Sequence, residues 1–377
     1  MNRTAGLPLV TILTLNYNGK RFLKNLFDSL RSCTYPNLEI IMADNASTDD
    51  SINFVQSEYP EVKILRNAEN YMFARGNNEG LKIANGKYIC VINNDVEVAP
   101  DFVEPVVAAF EANPHLAAAQ PKILAMQQRN HLEYSGACGG FIDWFGYPFV
   151  RGRLFQDIEK DDGQYDQPCG LFWASGACIF LRKTAIDAVG VFDEDFMMHM
   201  EEIDLCWRLR LNGWDIGAFP ASKIWHHVGG TLNKDNPRKM YWNYRNNLFL
   251  LMKNLSRKNL LIRIPMRMPL DFLALAVETA KGRLGNSAAI LRAYKWVFSH
   301  LGLILRKRRE VQRSRTVSDE TIFERVYSGS IVFEYFVLGK RKFSDLRAAD
   351  PLLAKNLKPF EIKYSRNITG ATLSNER

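Results

Sequence analysis

The chain has 377 residues, of which 47% are hydrophobic and 24% are charged. These proportions are typical of a folded protein and exclude a collagen-like or disordered chain, and the length predicts roughly two or three folded units. The net charge of +8 is unevenly distributed, because residues 238–315 hold 18 Lys and Arg against 3 Asp and Glu, whereas residues 1–237 hold 21 against 30. Such a basic segment favours phosphate-bearing partners, either nucleic acid or anionic lipid headgroups, and the charge alone leaves both open.

The first hundred residues alternate two patterns. Short apolar runs predict strands, and segments with apolar residues on one helical face predict the helices between them. The predicted strands are residues 9–15, 38–43, 62–65 and 87–92, and the predicted helices are 21–31, a helix capped by Ser47 or Thr48, and 74–84. This alternation predicts an α/β fold in which a mostly parallel, Rossmann-like sheet is flanked by helices on both faces.

Polar clusters follow three of the predicted strands, at residues 16–19, 44–50 and 93–95. Ligands of a parallel sheet bind beyond the carboxyl ends of its strands, so these clusters predict a site for a nucleotide-like ligand. No G-x-G-x-x-G motif follows the first strand and no P-loop motif occurs in the sequence. This argues against a dinucleotide-dependent enzyme and against a P-loop NTPase.

The remainder of the chain mixes turns with longer helical patterns. A strand over 172–181 and a helix that ends at Gly213 follow a predicted loop at 136–152. The pattern of the basic segment, residues 238–315, predicts amphipathic helices with breaks at Pro265 and Pro269. Its apolar stretches are interrupted by charged residues, so none reaches the ~18 uncharged residues that a membrane span requires.

Carboxylates at two places could carry chemistry. Asp95 follows a buried strand and could hold Mg²⁺ or Mn²⁺, which take oxygen ligands, although a turn rich in Asn and Asp explains it equally well. His226 ends another strand and could add a nitrogen ligand, or serve the structure alone. Glu201, Glu202 and Asp204 place three carboxylates within four residues. Mutual repulsion there would raise a pKa and suit a general base, while the alternative is the ordinary preference for acidic residues at a helix start.

Cations near two helix starts could contact phosphate. Arg245 stands among aromatic and amide side chains in residues 241–247 and could clamp a pyrophosphate, or belong to an ordinary amphipathic helix. Arg75 and Asn77 lie where the third helix opens and could also face a phosphate group.

Nine motifs in register resemble one known family. Over residues 8–250 the chain resembles the inverting family 2 glycosyltransferases of the GT-A fold, and within them the rhamnosyltransferase-like bacterial enzymes of polysaccharide assembly. The motifs are TLNYNG, ADNASTDDS, FARGNNEGLKIANG, YICVINNDVEV, SGACIFLRK, VGVFDEDF, MEEIDLCWRLRLNGW, WHHVGGT and YWNYRNN.

The resemblance implies a role for each matching residue. Asp95 and His226 would hold a Mg²⁺ or Mn²⁺ ion, although Asn93 stands where many members carry an Asp. Glu202 would be the base, with Glu201 as the alternative and Asp204 as a neighbouring acceptor or structural contact. The residues that would bind the nucleotide-sugar donor are Asn16, Tyr17, Asp44, Asn45, Arg75, Asn77, Asn94 and Arg245.

The function implied is inverting transfer of a sugar from a nucleotide-diphosphate donor to a hydroxyl of a saccharide or polyprenyl-diphosphate-linked acceptor, in synthesis of a bacterial surface polysaccharide. L-Rhamnose from dTDP-rhamnose is the preferred donor. UDP-galactose, UDP-N-acetylglucosamine or a GDP-sugar is the alternative, and a non-catalytic membrane-associated scaffold is a remote one. A nucleic-acid partner is not expected, because the basic stripe lacks any reader motif and the first 237 residues are acidic.

The expected organisation has three parts. Residues 1–237 form the catalytic domain, with a nucleotide-sugar half at 1–98 and an acceptor half at 99–237. Residues 238–315 form basic amphipathic helices, and residues 316–377 form a tail for which no structure is predicted. Without a signal-like N-terminal segment the chain is expected in the cytoplasm, held on the inner face of the plasma membrane by the basic helices. The alternative is that these helices pack on the catalytic domain.

Overall fold

A computed structural model describes residues 6–227 and 236–349. The strands in these residues are β1 (Val10–Asn16), β2 (Leu38–Asp44), β3 (Lys63–Arg66), β4 (Tyr88–Asn93), β5 (Val96–Val98), β6 (Leu116–Ala125), β7 (Gly140–Ile142), β8 (Pro148–Val150), β9 (Arg153–Leu154), β10 (Asp157–Ile158), β11 (Cys169–Gly170), β12 (Cys178–Arg182) and β13 (Asp215–His226). The helices are α1 (Lys20–Arg31), α2 (Ser51–Glu58), α3 (Met72–Ile83), α4 (Glu104–Ala112), α5 (Lys183–Val189), α6 (Glu201–Leu211), α7 (Pro237–Asn254), α8 (Arg257–Ala280), α9 (Leu284–Ser299), α10 (Leu301–Ser314), α11 (Asp319–Phe323), α12 (Ile331–Phe336) and α13 (Phe343–Ala349).

One sheet of the described residues joins nine strands, in the order β11-β13-β6-β12-β4-β1-β2-β3 with β5 beside β13. The four strands predicted from the first hundred residues are all present and all parallel, whereas β12 runs antiparallel to both β4 and β6. Asn16 is in register with Asp44 of β2, and Leu15 with Asn93 of β4. The carboxyl ends of β1, β2 and β4 therefore lie level, as the three polar clusters predicted.

Side chains alternate across this sheet because successive residues of a strand point to opposite faces. Val10 and Ile12 of β1 belong to a core that includes Phe27 of α1. Leu13 belongs to the core on the other face, with Trp207 of α6. The sheet is thus covered on both sides, which explains why its central strands are apolar almost throughout.

A smaller antiparallel sheet has the order β10-β9-β8-β7, and its strands β7 and β8 lie within the segment predicted to be a loop. The prediction for 136–152 is wrong because hydrogen bonds between β7 and β8 pair apolar residues that the sequence leaves between turns. The last helices pack on this sheet, where the backbone N–H of Ile331 donates to Asp143 Oδ2 over 3.0 Å and Phe343 contacts Phe141. Residues 316–349 of the predicted tail therefore have a defined structure.

Two local predictions are corrected. Helix α2 begins at Ser51 rather than after Ser47, because the Ser47 hydroxyl donates to Asp44 Oδ2 over 2.7 Å instead of capping the helix. Helix α8 continues through Pro265 and Pro269, which lie four residues apart on its exposed side. The carbonyls that lose their N–H partners there are on the outward face, so the helix is not broken.

The basic helices pack partly on the catalytic domain through a buried ion network, here called the α6–α7 charge cluster. It consists of Asp193, Asp204, Arg208, Lys253 and Lys307. The ammonium of Lys253 lies 2.5 Å from Asp193 Oδ2 and 2.8 Å from Asp204 Oδ2, and Lys307 of α10 also contacts Asp193. Burial opposes ionisation of both aspartates, but the surrounding cations keep their pKa values below the usual range.

Replacing Lys253 by Ala should leave two buried carboxylates without their shared cation. We expect a loss of about 3–5 kcal/mol in the free energy of unfolding, measured by chemical denaturation. Lys24→Ala is the matched control, because it breaks an exposed pair with Asp28 that is worth at most about 1 kcal/mol. Equal losses in the two variants would contradict a structural role for the α6–α7 charge cluster.

Candidate active site

Hydrogen bonds join the ends of three strands. Asp44 is fully buried, and its Oδ2 accepts from Asn16 Nδ2 over 2.9 Å while its Oδ1 accepts from the backbone N–H of Ser47 over 2.8 Å. Asn16 in turn accepts from Asn94 Nδ2 over 2.8 Å. A Cβ at Gly19 would lie 2.2 Å from Asn94 Nδ2, so only glycine lets the chain pass this close. The structure brings these predicted donor residues together as one rigid edge.

Asp95 and His226 are side by side at this edge, each less than a tenth exposed. His226 Nε2 lies 3.1 Å from Asp95 Oδ1 and 3.3 Å from Asn93 Nδ2, and its Nδ1 lies 3.2 Å from Glu133 Oε1. Although burial disfavours a charged imidazole, Glu133 and Asp95 raise the pKa of His226 to about 10. Without a metal ion, His226 is the cation of this acidic pocket.

The donor set suits a divalent metal ion of the Mg²⁺ or Mn²⁺ type. Two ligands at right angles around such an ion, each at about 2.1 Å, are about 3.0 Å apart, close to the separation of His226 Nε2 and Asp95 Oδ1. A metal-binding histidine commonly donates its other N–H to a carboxylate, and Glu133 has that position. Across residues 6–227 and 236–349, however, no group of three or more His, Cys, Asp or Glu side chains could hold a metal ion, so other ligands would have to complete the shell.

Glu133 is a site residue that the sequence did not reveal. It is fully buried between β6 and β7, and its Oε2 accepts from the backbone N–H groups of Ser135 and Gly136 over 2.6 and 2.9 Å. Its contact with His226 joins segments that are distant in the sequence. Only the pairing of β6 with β13 places them together, so no local pattern could have identified it.

Glu201 and Glu202 open α6, as predicted. The Oε2 atom of Glu202 is buried and has no hydrogen-bond partner among the described residues. Burial raises the pKa of Glu202 to about 7, and the backbone amides of Ile203 and Gly176 oppose part of that rise. Burial also raises the pKa of Glu201 well above its usual range, and the charge of Glu202 adds to that effect.

One short segment, residues 176–177, contacts both Glu202 and the end of β4, which leads to Asp95. A Cβ on Gly176 would be 3.8 Å from the Glu202 carboxyl carbon, which shows how closely the backbone passes that group. The next residue, Ala177, accepts a hydrogen bond of 3.0 Å from the backbone N–H of Asn93, two residues before Asp95. The segment therefore links α6 to the end of β4.

The loop before α6 is held in a rare backbone conformation. Met197, His199 and Met200 have φ angles of 62°, 67° and 71°, in the left-handed region that non-glycine residues seldom adopt. Asn246 of α7 holds this loop, because its Nδ2 lies 3.1, 2.8 and 2.7 Å from the carbonyl oxygens of Phe196, Met198 and His199. Asn246 is fully buried and was not predicted as a site residue, although it stands in the YWNYRNN motif.

Arg245 lies away from the strand ends. Its Cζ atom is 3.7 Å from the centre of the Trp296 ring, and its Nη1 donates to Asn246 Oδ1 over 2.5 Å and to the carbonyl of Phe196 over 3.4 Å. None of its contacts within the described ranges is with Asp95 or His226. The predicted contact between Arg245 and the donor diphosphate stays a prediction.

The other predicted residues divide into buried and exposed ones. Asn45 is buried and donates to Asn70 and Met72, and Asn77 donates to the carbonyl of Phe73. Arg75 is exposed and lies over the ring of Tyr71. Tyr17 is half exposed beside the strand ends. Asp204 points away from Glu202 into the α6–α7 charge cluster, which agrees with the structural alternative for that residue.

A cavity of about 480 Å³ adjoins the end of β1. Its lining includes Asn18, Asp49 and three cations, Lys20, Arg21 and Lys24. Asn18 Oδ1 accepts from the backbone N–H of Thr48 over 2.7 Å, so the loops after β1 and β2 are fixed to each other at its rim. Lys20 and Lys24 pair with Asp50 and Asp28, so the lining combines cations with carboxylates at the edge where ligands of a parallel sheet bind.

Comparison with known proteins identifies a family domain in the chain. The profile described as glycosyl transferase family 2 matches residues 11–190, which contain β1 to β4 and the clusters at their ends. The chain thus contains a glycosyltransferase family 2 domain over these residues.

The chain has two named bacterial relatives at low identity. It is 25% identical over 249 residues to the N-acetylglucosaminyl-diphospho-decaprenol L-rhamnosyltransferase of Mycobacterium tuberculosis, covering 60% of this chain and 78% of that one. It is 25% identical over 242 residues to the O-antigen biosynthesis protein RfbC of Myxococcus xanthus, covering 63% of this chain and 19% of that one.

A solved structure supports the fold. The structure of GalNAc-T7 with UDP, GalNAc and Mn²⁺ superposes with a TM-score of 0.54 at 15% sequence identity, covering 68% of this chain and 49% of that chain. At this identity the similarity establishes the fold and no more. The GT-A fold expected from the motifs is confirmed.

Replacing Asn246 by Ala should release the loop before Glu202. Because each left-handed residue costs about 1–3 kcal/mol unless its surroundings hold it, we expect the base to shift and kcat for sugar transfer to fall roughly tenfold or more, with KM for the donor nearly unchanged. The measurement is steady-state release of nucleoside diphosphate. Asn254→Ala is the control, since Asn254 is also fully buried on α7 but contacts Asp204 instead of the loop. A similar loss of kcat in both variants would contradict a positioning role.

Proposed function

We propose that this glycosyltransferase transfers a sugar with inversion from a nucleotide-diphosphate donor to a hydroxyl of a lipid-linked saccharide in synthesis of a cell-surface polysaccharide. The observation that carries the proposal is the Glu202 carboxyl, whose buried Oε2 has no hydrogen-bond partner among the described residues and whose pKa is about 7, beside the 176–177 segment that also contacts the end of β4. L-Rhamnose from dTDP-rhamnose is the preferred donor, because the named relative is a rhamnosyltransferase. A UDP- or GDP-sugar donor is the alternative.

Each residue has a role in this reaction. Glu202 takes the proton of the acceptor hydroxyl, whose oxygen attacks the anomeric carbon from the side opposite the diphosphate. The new carbon–oxygen bond forms as the bond to the diphosphate breaks, so one displacement inverts the centre and no covalent enzyme intermediate is needed. Asp95 and His226 would hold Mg²⁺ or Mn²⁺, which offsets negative charge on a departing diphosphate. Glu133 orients His226, and Asn16 and Asn94 fix the edge beside it.

Glu202 is a better base than Glu201 for an electrostatic reason. A base must be ionised at the working pH, and a pKa of about 7 allows this at neutral pH while leaving the carboxylate basic enough to accept a proton. Burial and the charge of Glu202 also raise the pKa of Glu201 well above its usual range, which favours the neutral form of that carboxyl.

Glu202→Gln should lower kcat by about 10²–10⁴, the usual contribution of a general base, without weakening donor binding. In the wild type kcat/KM should fall about tenfold per pH unit below about pH 7, because protonation of Glu202 removes the base. Glu201→Gln keeps the shape of the side chain and leaves the Glu202 carboxyl in place, so this variant should keep most of the activity. The assignment fails if Glu201→Gln is the more damaging substitution.

The donor can be identified by thermal denaturation with dTDP, UDP, GDP and CMP, each with and without Mn²⁺. A ligand that binds only the folded state raises Tm, so we expect the largest metal-dependent rise with dTDP. Asp95→Asn should remove the metal-dependent part of that rise. A larger rise with UDP or GDP would replace dTDP-rhamnose by the alternative donor, and no rise with any nucleotide would favour the non-catalytic scaffold.

We further propose that α8 lies on the inner face of the plasma membrane. Its polarity is reversed relative to an ordinary surface helix, because Arg263, Arg267 and Asp271 face the protein and are buried, while apolar side chains face outward. The apolar side chains that face outward are 40–66% exposed, and they are Leu261, Ile262, Met266, Phe272, Leu273 and Val277. The basic residues Arg257, Lys258 and Lys281 stand at the two ends of α8, where they could contact anionic headgroups.

The described helices were compared with the length and apolar character that a membrane span requires. None of those in residues 6–227 and 236–349 is both long and apolar enough to cross a bilayer alone, although α9 and α10, bent by 69°, pass the length and composition criteria as a pair.

Flotation with anionic vesicles tests the α8 surface on the full chain. The wild type should float with vesicles containing phosphatidylglycerol, and the double variant Leu261→Glu with Leu273→Glu should lose at least about tenfold in partitioning, since each buried leucine contributes about 1.5–3 kcal/mol. The control is Ile83→Glu with Val191→Glu, which changes exposed apolar residues of the catalytic domain. Equal flotation of both double variants would contradict the proposal.

A further inference from the structure

A second cavity lies between α7 and α9, outside the strand-end site. Its volume is about 590 Å³, within the usual range for small-molecule sites. It is lined by Arg238, Tyr241, Arg292, Lys295, Trp296 and Ser299. We refer to it as the α7–α9 cavity.

The α7–α9 cavity is cationic, and no carboxylate of the described residues lines it. Arg238, Arg292 and Lys295 make no ion pair with any carboxylate in residues 6–227 and 236–349, whereas the buried cations Lys253 and Arg267 do. All three cations are exposed and therefore solvated, but their position around one cavity favours an anion that contacts them together. Guanidinium and ammonium groups, with the hydroxyl of Ser299, supply the donors that phosphate oxygens accept from.

An apolar surface reaches the rim of this cavity. Phe272 on the outward face of α8 stacks on Tyr294 with ring centres 5.7 Å apart, and Tyr294 lies 6.4 Å from Phe298. Phe298 is 62% exposed and immediately precedes Ser299 of the cavity lining. A hydrocarbon chain on the α8 surface could therefore continue to the cavity over aromatic side chains.

The wall of the cavity is connected to the loop before the base. Trp296 stacks on the guanidinium of Arg245, and Arg245 donates to the carbonyl of Phe196, where the left-handed loop leading to Glu202 begins. The cavity is thus connected through Trp296 and Arg245 to the loop that precedes Glu202.

We propose that the α7–α9 cavity binds the diphosphate of the lipid-linked acceptor, with the lipid chain lying over Phe298 and Phe272. This inference rests on the proposed function, because it assigns a place to the acceptor's diphosphate that is separate from the diphosphate of the donor. Arg238, Arg292 and Lys295 hold the phosphates, and the sugar attached to them is directed toward Glu202.

Binding of farnesyl diphosphate to the full-length protein tests this assignment by calorimetry. The wild type should bind it, and the double variant Arg292→Ala with Lys295→Ala should bind it roughly tenfold to hundredfold more weakly, as expected for lost charge-assisted hydrogen bonds. Arg309→Ala with Arg313→Ala is the control, because it removes two exposed cations from α10 and should leave the affinity unchanged. Unchanged affinity in the Arg292/Lys295 variant, or equal losses in both variants, would overturn the assignment.

Two further ligands distinguish the sources of affinity. Inorganic pyrophosphate should bind with the same dependence on Arg292 and Lys295 but more weakly, and farnesol should show no such dependence. Competition by dTDP for the farnesyl diphosphate site would overturn the assignment, because it would place the probe in the donor site. Glu202→Gln should bind farnesyl diphosphate as the wild type does. Binding that depends on Arg292 and Lys295 without transfer from any donor would thus refute the proposed function while supporting the cavity.

Discussion

The position of Lys253 between Asp193 and Asp204 is the constraint on which the arrangement of the site depends. Buried charges are tolerated only beside opposite charges, and Arg208 and Lys307 complete the cluster, so α7 docks on α6 where Lys253 reaches both aspartates. Asn246 is seven residues before Lys253, which is two helical turns, and it therefore lies on the same face of α7. Pairing at Lys253 consequently places the Asn246 amide against the three carbonyls of the loop before Glu202.

The buried carboxylates of the site differ in how many hydrogen bonds they accept, and this difference sets their electrostatic properties. Asp44 and Glu133 are buried, but several hydrogen bonds satisfy their oxygens, and they fix structure. Glu202 is buried with one oxygen unsatisfied, so its carboxylate remains available for a proton. The same fold thus assigns different tasks to similar side chains through the number of donors that each one meets.

Much of the fold could be predicted because it depends on local patterns. Alternating periodicity located the first four strands, and Gly213 marked the end of α6. Asp95, His226, Glu201 and Glu202 could be proposed as site residues because each stands near the end of a strand or at the start of a helix. What was missed depends on tertiary contacts: Glu133 acquires its partner only when β6 pairs with β13, and Asn246 only when α7 docks. The prediction of helix breaks at Pro265 and Pro269 was wrong because the effect of a proline depends on which side of the helix it faces.

The docking of α7 has a consequence for how the chain can be divided. A fragment that stops at residue 237 would contain the nine-stranded sheet and the whole family-matching segment. It would also contain Asp95, Glu133, Glu201 and Glu202. It would lack the amide that restrains the left-handed loop and the ammonium between the two aspartates. The strands of the sheet therefore come from residues before 238 alone, whereas the geometry around Glu202 also depends on α7. Exchange of the C-terminal helices between relatives would have to preserve the polar face of α7 to keep a working base.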